Sequence, residues 1–242
     1  MYPKSLVVLP TYNERDNIDI VLCSLLKFDF LDVLVVDDNS TDGTVDIVKG
    51  WMKKTDRVNL IQRPAKLGLG TAYVTGFKWG LEKDYDLFFE MDSDLSHNPE
   101  DIPKFIDKIN EGFDLVIGSR YMNNTISVVG WDFKRLLLSK FANWYATTIL
   151  GLKDLSDITS GFRCYRRKVL ETVMLDKIKS NGYSFQIEMA YKTYKLGFKV
   201  GEIPIIFYER SSGSSKMSRK IAIEAAIMVW RLKFGKNRYS CS

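Results

Sequence analysis

Short apolar runs alternate with longer polar or amphipathic stretches through the first half of the chain. Each run is four or five residues long and is followed by acidic or turn-forming residues. Continuous apolar runs of this length indicate strands that are buried on both faces. The predicted strands are Ser5–Leu9, Val33–Val36, Val58–Gln62, Leu87–Met91 and Asp114–Gly118.

The stretches between these strands have the length and polarity of helices. They predict helices over Arg15–Lys27, Thr44–Lys53, Thr71–Glu82 and Asp101–Asn110. Strands that alternate with helices predict a mostly parallel sheet with helices on both faces, so the chain belongs to the α/β class.

The second half of the chain is less regular and shows no internal repeat. We predict helices over Lys134–Leu150, Phe185–Leu196 and Ile221–Phe234, a loop and strand over Ser160–Arg166, and a strand over Lys199–Tyr208 that Pro204 interrupts. One low-complexity stretch, Ser211–Ser215, lies between Arg210 and Lys216. Such a stretch is either a solvated linker or a loop that orders over an anionic ligand.

Polar and charged side chains follow four of the predicted strands. Ligands of open α/β sheets bind at the carboxyl ends of the strands, so these side chains are candidates for a common site. They are Tyr12 and Glu14, Asp37 and Asp38, Asp92 and Asp94, and Ser119 and Arg120.

Asp92 and Asp94 stand one residue apart at the end of the fourth strand. Side chains at i and i+2 of a strand share a face, so the two carboxylates predict a divalent cation site. Mg²⁺ or Mn²⁺ takes one or two carboxylates and completes its shell with phosphate oxygens and water. A D-x-D triplet alone is weak evidence, because Asp84-Tyr85-Asp86 has the same spacing.

Composition narrows the classes of protein that need to be considered. The 242 residues are 45% hydrophobic, which predicts one domain with a full core. The net charge is +5, and seven Lys or Arg residues stand against one Glu from Lys216 onwards.

Three cysteines without a C-x-x-C and a single histidine favour neither a zinc site nor a disulfide framework, and we expect a reduced, cytosolic setting. We expect no signal peptide and no membrane span, since the longest apolar run, Ile221–Trp230, is too short.

Several common site motifs do not occur. Gly68-Leu-Gly70 is followed by Tyr73 where a dinucleotide-binding fingerprint has its third glycine, and no P-loop sequence exists. A nucleophilic triad would have to use His97, the lone histidine, which is more simply read as structural.

Six segments in order resemble the family 2 glycosyltransferases, and among them the polyprenol (dolichyl) phosphate mannose synthases. The resemblance extends from Ser5 to about Lys216, with Ser93 where that subgroup usually has alanine and a shifted glycine in Thr159-Ser-Gly-Phe-Arg163. No Q-x-x-R-W follows Gln186, which argues against a processive polysaccharide synthase. The segments are Leu9-Pro-Thr-Tyr-Asn-Glu14, Val36-Asp-Asp-Asn-Ser-Thr-Asp-Gly43, Lys66-Leu-Gly-Leu-Gly-Thr-Ala72, Met91-Asp-Ser-Asp-Leu-Ser-His97, Gly118-Ser-Arg-Tyr121 and Gly130-Trp-Asp-Phe-Lys-Arg135.

The resemblance implies a GT-A fold, that is, a Rossmann-like, mostly parallel sheet flanked by helices, with acceptor-side helices towards the C-terminus. It implies one glycosyltransferase domain over 1–242, with a nucleotide-binding half (1–120), an acceptor half (121–216) and a basic interfacial helix and tail (217–242).

The resemblance also implies roles for individual residues. Asp92, Asp94 and Ser96 would hold the cation. The catalytic residues would be Asp94, Arg120 and Arg135. Arg120 and Arg135 would position the acceptor phosphate, and Arg163 is a further candidate for that role. The donor-binding residues would be Pro10, Tyr12, Glu14, Val36, Asp38, Asp92, Ser93, Asp94, Arg120, Arg210 and Lys216.

The implied reaction is the inverting transfer of mannose from GDP-mannose to a polyprenyl phosphate, with Mg²⁺ or Mn²⁺ as cofactor. Three alternatives stay open: UDP-glucose or another sugar nucleotide with the same lipid, a nucleotidyltransferase, and a catalytically silent sugar-nucleotide-binding subunit. The lipid implies peripheral contact with the cytoplasmic face of a membrane, through Lys134–Leu150 and the basic C-terminal helix. A separate membrane-anchoring partner is compatible with this expectation. We expect no nucleic-acid partner.

Overall fold

The computed structural model describes residues 2–178, 180–209 and 219–235, with the backbone alone for 219–224. Arg210, Lys216 and the Ser211–Ser215 stretch lie outside the described residues, so their predicted role in donor binding stays a prediction.

A seven-stranded sheet forms the centre of the molecule, in the order β3-β2-β1-β4-β7-β5-β8. All neighbouring strands are parallel except β7, which runs antiparallel to both β4 and β5. The predicted α/β class with a mostly parallel sheet flanked by helices is therefore confirmed. The strands of this sheet are β1 (Ser5–Thr11), β2 (Leu31–Asp37), β3 (Val58–Gln62), β4 (Leu87–Glu90), β5 (Leu115–Ser119), β7 (Arg163–Arg166) and β8 (Val200–Pro204).

Eight helices accompany the strands in the described residues, and two short 3₁₀ turns occur at Pro99–Asp101 and Leu175–Lys177. The helices are α1 (Arg15–Leu25), α2 (Thr44–Met52), α3 (Leu69–Leu81), α4 (Ile102–Asn110), α5 (Phe133–Leu150), α6 (Arg167–Thr172), α7 (Gly182–Lys195) and α8 (Arg219–Phe234). None of the helices in this part of the chain is both long and apolar enough to cross a bilayer.

The apolar strands separate two hydrophobic cores. Leu6 and Val8 of β1 belong to the core on one face, and Val7 and Leu9 belong to the core on the other face. Adjacent residues of a strand point to opposite faces, so a strand covered on both sides must be apolar at every position. The continuous apolar runs in the sequence have this cause.

Helix α3 packs unusually close to β1. A Cβ atom on Gly76 would lie 2.4 Å from Cγ1 of Val8, and one on Gly80 would lie 2.5 Å from Cδ2 of Leu6. Glycine is therefore required at both positions for the helix to reach the sheet. This packing fixes the first turn of α3 beside the carboxyl ends of β1 and β4.

The structure also contains elements that the pattern did not predict. Strands β6 (Val128–Val129) and β9 (Phe207–Tyr208) form a separate two-stranded parallel sheet. Helix α6 was not expected, and α7 begins at Gly182 rather than at Phe185. The predicted interruption at Pro204 is confirmed, because β8 ends there and β9 starts at Phe207.

Candidate active site

The ends of β1, β2 and β4 meet at a cavity of about 400 Å³. The loop before α3, the segment Thr159–Gly161 and the first turns of α7 complete its walls. Of the predicted donor-binding residues, Pro10, Tyr12, Glu14, Asp38, Asp92, Ser93 and Asp94 line this cavity. We call it the donor cleft.

Hydrogen bonds hold the loops that follow β1 and β2 in fixed positions. Asp37 is fully buried and accepts hydrogen bonds from the Thr11 hydroxyl at 2.8 Å and from the Ser40 backbone N–H at 2.9 Å. Asn13 has a left-handed backbone, and its side-chain oxygen accepts from the Thr41 N–H at 2.9 Å. Asp37 therefore stabilises the rim of the cleft and does not point into it.

Asp38 lines the cleft but already has several partners. Its carboxylate forms a buried ion pair with Arg63 and accepts hydrogen bonds from the backbone N–H groups of Leu67 and Gly68 at 3.1 and 3.2 Å. These contacts hold the loop before α3 against the end of β2. On that loop Lys66 lies over the ring of Tyr12, with its Nζ 3.8 Å from the ring centroid. Lys66, for which no role was predicted, thereby places a cation at the cleft.

The loop from Asp92 to His97 is organised around its carboxylates. The backbone N–H of Asp92 donates to Nδ1 of His97 at 3.1 Å, and the N–H of Ser96 donates to Oδ1 of Asp94 at 3.1 Å. Burial lowers the pKa of His97 to about 4, so the imidazole is neutral and can accept this bond. The ring of His97 thereby fixes the backbone that carries Asp92.

Further bonds fix the two ends of this loop. The Ser93 hydroxyl donates to the carbonyl of Pro10 at 2.9 Å, which joins the ends of β4 and β1. Tyr73 of α3 donates to Oδ1 of Asp92 at 3.4 Å, and burial raises the pKa of Tyr73 well above its usual value. Leu95, a bulky residue, has a φ of 65°, an unusual conformation that is found often at functional sites.

The carboxylates of this loop fit a divalent cation that a substrate helps to bind. Asp92 and Asp94 both line the donor cleft and are half-buried. Within the described residues, no group of three or more His, Cys, Asp or Glu side chains is arranged to hold a metal ion. Two carboxylates suit Mg²⁺ or Mn²⁺, which bind to few protein groups and take their other ligands from phosphates and water.

Val36 and Ser96, which were predicted to bind the donor and the cation, do not line the cleft. Val36 is fully buried and packs in the core beneath the cleft. Ser96 is also buried, and it contributes its backbone N–H to Asp94. Their proposed roles in donor and metal binding stay predictions.

Arg120, which was also predicted to bind the donor, does not line the cleft and belongs to a buried hydrogen-bond network. Its guanidinium is 4% exposed and donates to both carboxylate oxygens of Asp157, at 2.6 and 2.7 Å, and to the Thr159 hydroxyl at 2.9 Å. Asn143 of α5 binds the same carboxylate, and the ring of Trp131 lies 5.2 Å from the guanidinium carbon. These contacts indicate a structural ion pair, and the predicted catalytic role of Arg120 stays untested.

Arg163 is fully buried as well. Its guanidinium donates to the backbone carbonyls of Ser160, Gln186 and Ile158 at 2.8, 2.8 and 2.6 Å. It therefore joins the loop before β7 to helix α7, and it does not reach a surface where an acceptor phosphate could bind.

A second cavity, of about 420 Å³, lies between α5, α7 and α8. Its walls are mainly apolar and include Leu138, Phe141 and Val229. Arg135 stands at its edge, where it pairs with Glu209 at 2.5 Å and lies 4.1 Å from the centroid of the Trp131 ring. Arg135 thus borders an apolar cavity with its charge paired to Glu209, and its predicted role in positioning the acceptor phosphate stays a prediction.

The two cavities share part of their walls. Thr159 and Tyr183 line both of them. No role in the site was predicted for Tyr183, Gly161 or Gln186, although all three line the donor cleft. Tyr183 and Gln186 reach the cleft only because α7 packs beside the end of β4, and Gly161 only because β7 pairs with β4.

Glu90 lies beneath the cleft, two residues before Asp92, and is fully buried. Burial raises its pKa to about 7, against the opposing effects of Arg163, Gln186 and Tyr165. Neither carboxylate oxygen makes a hydrogen bond of standard geometry with a described residue. The same holds for the Ser160 and Tyr165 hydroxyls and for both amide atoms of Gln186.

Comparison with known proteins agrees with this geometry. Residues 6–174 match glycosyl transferase family 2. The polyprenol monophosphomannose synthase of Mycolicibacterium smegmatis is 43% identical over 233 residues, which cover 93% of this chain and 85% of that protein. The undecaprenyl-phosphate mannosyltransferase of Micrococcus luteus is 43% identical over 227 residues, which cover 93% of this chain and 92% of that protein.

Solved structures show the same fold at lower identity. Glucosyl-3-phosphoglycerate synthase from Mycobacterium tuberculosis, in complex with Mn²⁺, UDP and phosphoglyceric acid, superimposes with a TM-score of 0.71 and 19% identity, covering 96% of this chain and 79% of that one. A mannosyltransferase from Pyrobaculum calidifontis, in complex with GDP-Man and Mn²⁺, gives a TM-score of 0.59 at 17% identity, covering 89% of this chain and 59% of that one. The fold is that of the GT-A glycosyltransferases, and the chain is a glycosyltransferase that belongs to family 2.

Proposed function

We propose that the protein transfers mannose from GDP-mannose to a polyprenyl phosphate and inverts the configuration at the anomeric carbon. The observation that carries this proposal is the pair of adjoining cavities. One has carboxylates at the ends of β1, β2 and β4, and the other is apolar with Arg135 at its edge. The relatives named for polyprenol and undecaprenyl phosphate support the lipid acceptor and the mannosyl group.

In this proposal, the donor cleft binds the nucleotide and the diphosphate. Tyr12, Glu14 and Asp38 line the part of the cleft for the nucleoside, where carboxylates accept hydrogen bonds from ribose hydroxyls or base N–H groups. Asp92 and Asp94 would hold Mg²⁺ or Mn²⁺. A bound cation would neutralise the negative charge that develops on the departing diphosphate.

The acceptor needs positioning more than activation. A phosphate monoester has its second pKa near ~6, so its oxygen is already largely ionised at neutral pH. Arg135 would direct this oxygen towards the wall that both cavities share, at Thr159 and Tyr183. Attack in line with the leaving group from that side gives the inverted, β-linked product.

The test is an assay of the purified protein with Mn²⁺, radiolabelled sugar nucleotides and a short polyprenyl phosphate. We expect labelled lipid from GDP-mannose. Labelled lipid from a UDP-sugar alone would select the alternative donor, and pyrophosphate-dependent nucleotide exchange would select a nucleotidyltransferase. Binding of the nucleotide without turnover would select a silent subunit.

The role of Arg135 can be separated from that of the donor cleft. We expect Arg135→Ala to raise the KM for polyprenyl phosphate roughly 10- to 100-fold, the effect of losing one hydrogen bond to a charged group, and to leave the affinity for GDP unchanged. Initial rates at varied lipid concentration, together with calorimetric titration of GDP, give both quantities. Lys153→Ala, which removes an exposed cation elsewhere in the same half of the chain, is the control. Weaker GDP binding in Arg135→Ala would assign Arg135 to the donor instead.

We further propose that α5 and α8 touch the membrane that carries the acceptor. Phe133, Leu137, Phe141 and Trp144 of α5 are exposed, by 75% for Phe133, and their spacing places them along one side of the helix. Ile227, Trp230 and Phe234 of α8 are exposed as well, and α8 packs against α5. Apolar side chains beside the cationic Lys134, Lys140, Arg231 and Lys233 are typical of an interfacial surface.

This surface predicts binding to vesicles that contain anionic lipid. We expect the double substitution Leu137→Ser and Trp144→Ser to lower the partition coefficient at least ~10-fold, since each buried side chain contributes about 1.5–3 kcal/mol. Co-sedimentation of the purified protein gives the coefficient, with Met52→Ser on α2 as the control for an exposed apolar residue elsewhere. Equal binding by both variants would contradict the surface, and no binding by the unchanged protein would indicate a separate anchoring partner.

A further inference from the structure

We propose that Gln186 binds a hydroxyl group of the transferred sugar and that Gly161 keeps open the space in which the sugar lies. The inference rests on the proposed function, because it places a sugar nucleotide in the donor cleft. It adds a determinant of sugar specificity that lies outside the D-x-D loop and outside the predicted donor-binding residues.

The side chain of Gln186 is buried at the cleft wall, beside the buried carboxylate of Glu90, on whose pKa it acts. It lies near the start of α7, is 2% exposed and lines the donor cleft. Neither Oε1 nor Nε2 makes a hydrogen bond of standard geometry with any described residue. Since nearly all buried polar side-chain atoms in proteins make well-formed hydrogen bonds, an amide at a cleft wall that makes none of standard geometry points to a ligand.

The backbone around Gln186 is held firmly. Its carbonyl oxygen accepts a hydrogen bond from Nη1 of the buried Arg163 at 2.8 Å. Phe185, the preceding residue, stacks on Tyr73 with ring centroids 5.9 Å apart. The amide is therefore presented from a rigid position, which is what recognition of one hydroxyl group requires.

Gly161 borders the space between Gln186 and the D-x-D loop. A Cβ atom at Gly161 would lie 3.6 Å from Oδ2 of Asp92 and 3.7 Å from Nε2 of Gln186. These are ordinary van der Waals distances, and Gly161 does not have a left-handed backbone. Alanine therefore fits at this position in the free protein, but its methyl group would occupy room between the carboxylate and the amide.

The position along the cleft identifies the part of the donor that would lie there. Gln186 follows Tyr183 by about one turn of α7, and Gly161 follows Thr159 by two residues. Tyr183 and Thr159 line both cavities. The transferred group must lie where the donor and acceptor cavities adjoin, so the amide faces the sugar. An amide both donates and accepts hydrogen bonds, which matches a sugar hydroxyl and offers no charge to a phosphate.

The experiment compares binding of a nucleoside diphosphate with binding of its sugar conjugate. Gln186→Met keeps the volume of the side chain and removes its hydrogen bonds, and Gly161→Ala fills the space. In the presence of Mn²⁺, we expect both variants to bind GDP as the unchanged protein does and to bind GDP-mannose roughly 10- to 100-fold more weakly. Calorimetric titration measures both, and Lys195→Ala at the exposed end of α7 is the control.

Turnover gives a readout that a purely structural role would not move. We expect Gln186→Met to reduce the ratio of kcat/KM for GDP-mannose to that for GDP-glucose, because the site no longer distinguishes the two sugars through this hydroxyl. An unchanged ratio together with unchanged GDP-mannose affinity would overturn the proposal. Equal losses of GDP and GDP-mannose affinity would overturn it too, since they would assign both residues to the nucleotide.

Failure of the proposed function would look different. If the unchanged protein binds a nucleotide other than GDP, the same comparison can be made with that nucleotide and its sugar conjugate, and Gln186 and Gly161 are tested in the same way. Thermal unfolding gives the Tm of each variant. A Tm equal to that of the unchanged protein excludes misfolding as the cause of weaker binding.

Discussion

Replacing Asp94 by alanine is expected to abolish Mn²⁺-dependent binding of the donor and to reduce sugar transfer at least ~10³-fold. Asp94 lines the donor cleft, and its carboxylate is oriented by the backbone N–H of Ser96. The loop from Asp92 to His97 offers a cation two carboxylates, those of Asp92 and Asp94. Loss of one of them therefore removes half of the negative charge that this loop presents to the cation. The remaining Asp92 cannot hold a cation against the competition of water.

The measurement is a calorimetric titration of GDP in the presence and absence of Mn²⁺, followed by the transfer assay. Asp84→Ala is the matched control, because Asp84 belongs to the second D-x-D triplet of the chain and is exposed. The metal assignment is wrong if Asp94→Ala binds GDP with the same Mn²⁺ dependence as the unchanged protein. Addition of a chelator to the unchanged protein should give the same loss as the substitution.

Replacing Arg120 by alanine is expected to destabilise the protein by about 3–5 kcal/mol, the usual cost of leaving one charge of a buried pair without its partner. Asp157 is fully buried and accepts hydrogen bonds from Nε and Nη2 of Arg120. In a chain of this length each kcal/mol corresponds to about 2–4 °C in Tm, so we expect a fall of roughly 6–20 °C.

Thermal and urea unfolding test this expectation, and a second variant tests its cause. Replacing both groups, with Arg120→Met and Asp157→Leu, removes the unpaired charge and should recover part of the loss. If Arg120→Ala instead keeps the full stability and lowers turnover, the guanidinium acts on the substrate, as the family resemblance implied. The two outcomes therefore decide between a structural and a catalytic arginine.

The sheet could be predicted from the sequence because its signal is local. Each strand buried on both faces is a continuous apolar run, and each is followed by the polar residues that turn the chain. Most of the donor cleft could be predicted from the same strand ends, since parallel strands bring their carboxyl ends to one edge of the sheet. Tyr12, Glu14, Asp38, Asp92 and Asp94 were predicted in this way, and all five line the cleft.

The remaining features depend on contacts between distant parts of the chain. Strand β7 pairs between β4 and β5 in the antiparallel direction, and no local pattern indicates this order. The environment of Arg120 depends on Asp157, which is 37 residues away. Gln186 likewise reaches the cleft only through the packing of α7. A pattern of residue types could therefore identify Arg120 as a candidate but could not show that its charge is already neutralised.

The covering of the sheet on both faces has a consequence for hydrogen exchange. Amide protons in the central strands β1, β2 and β4 are expected to exchange only when the whole domain unfolds, because no local opening exposes them. The donor cleft lies beyond the ends of these strands, so substrates can enter and leave it while the strands that aim the carboxylates stay closed to solvent.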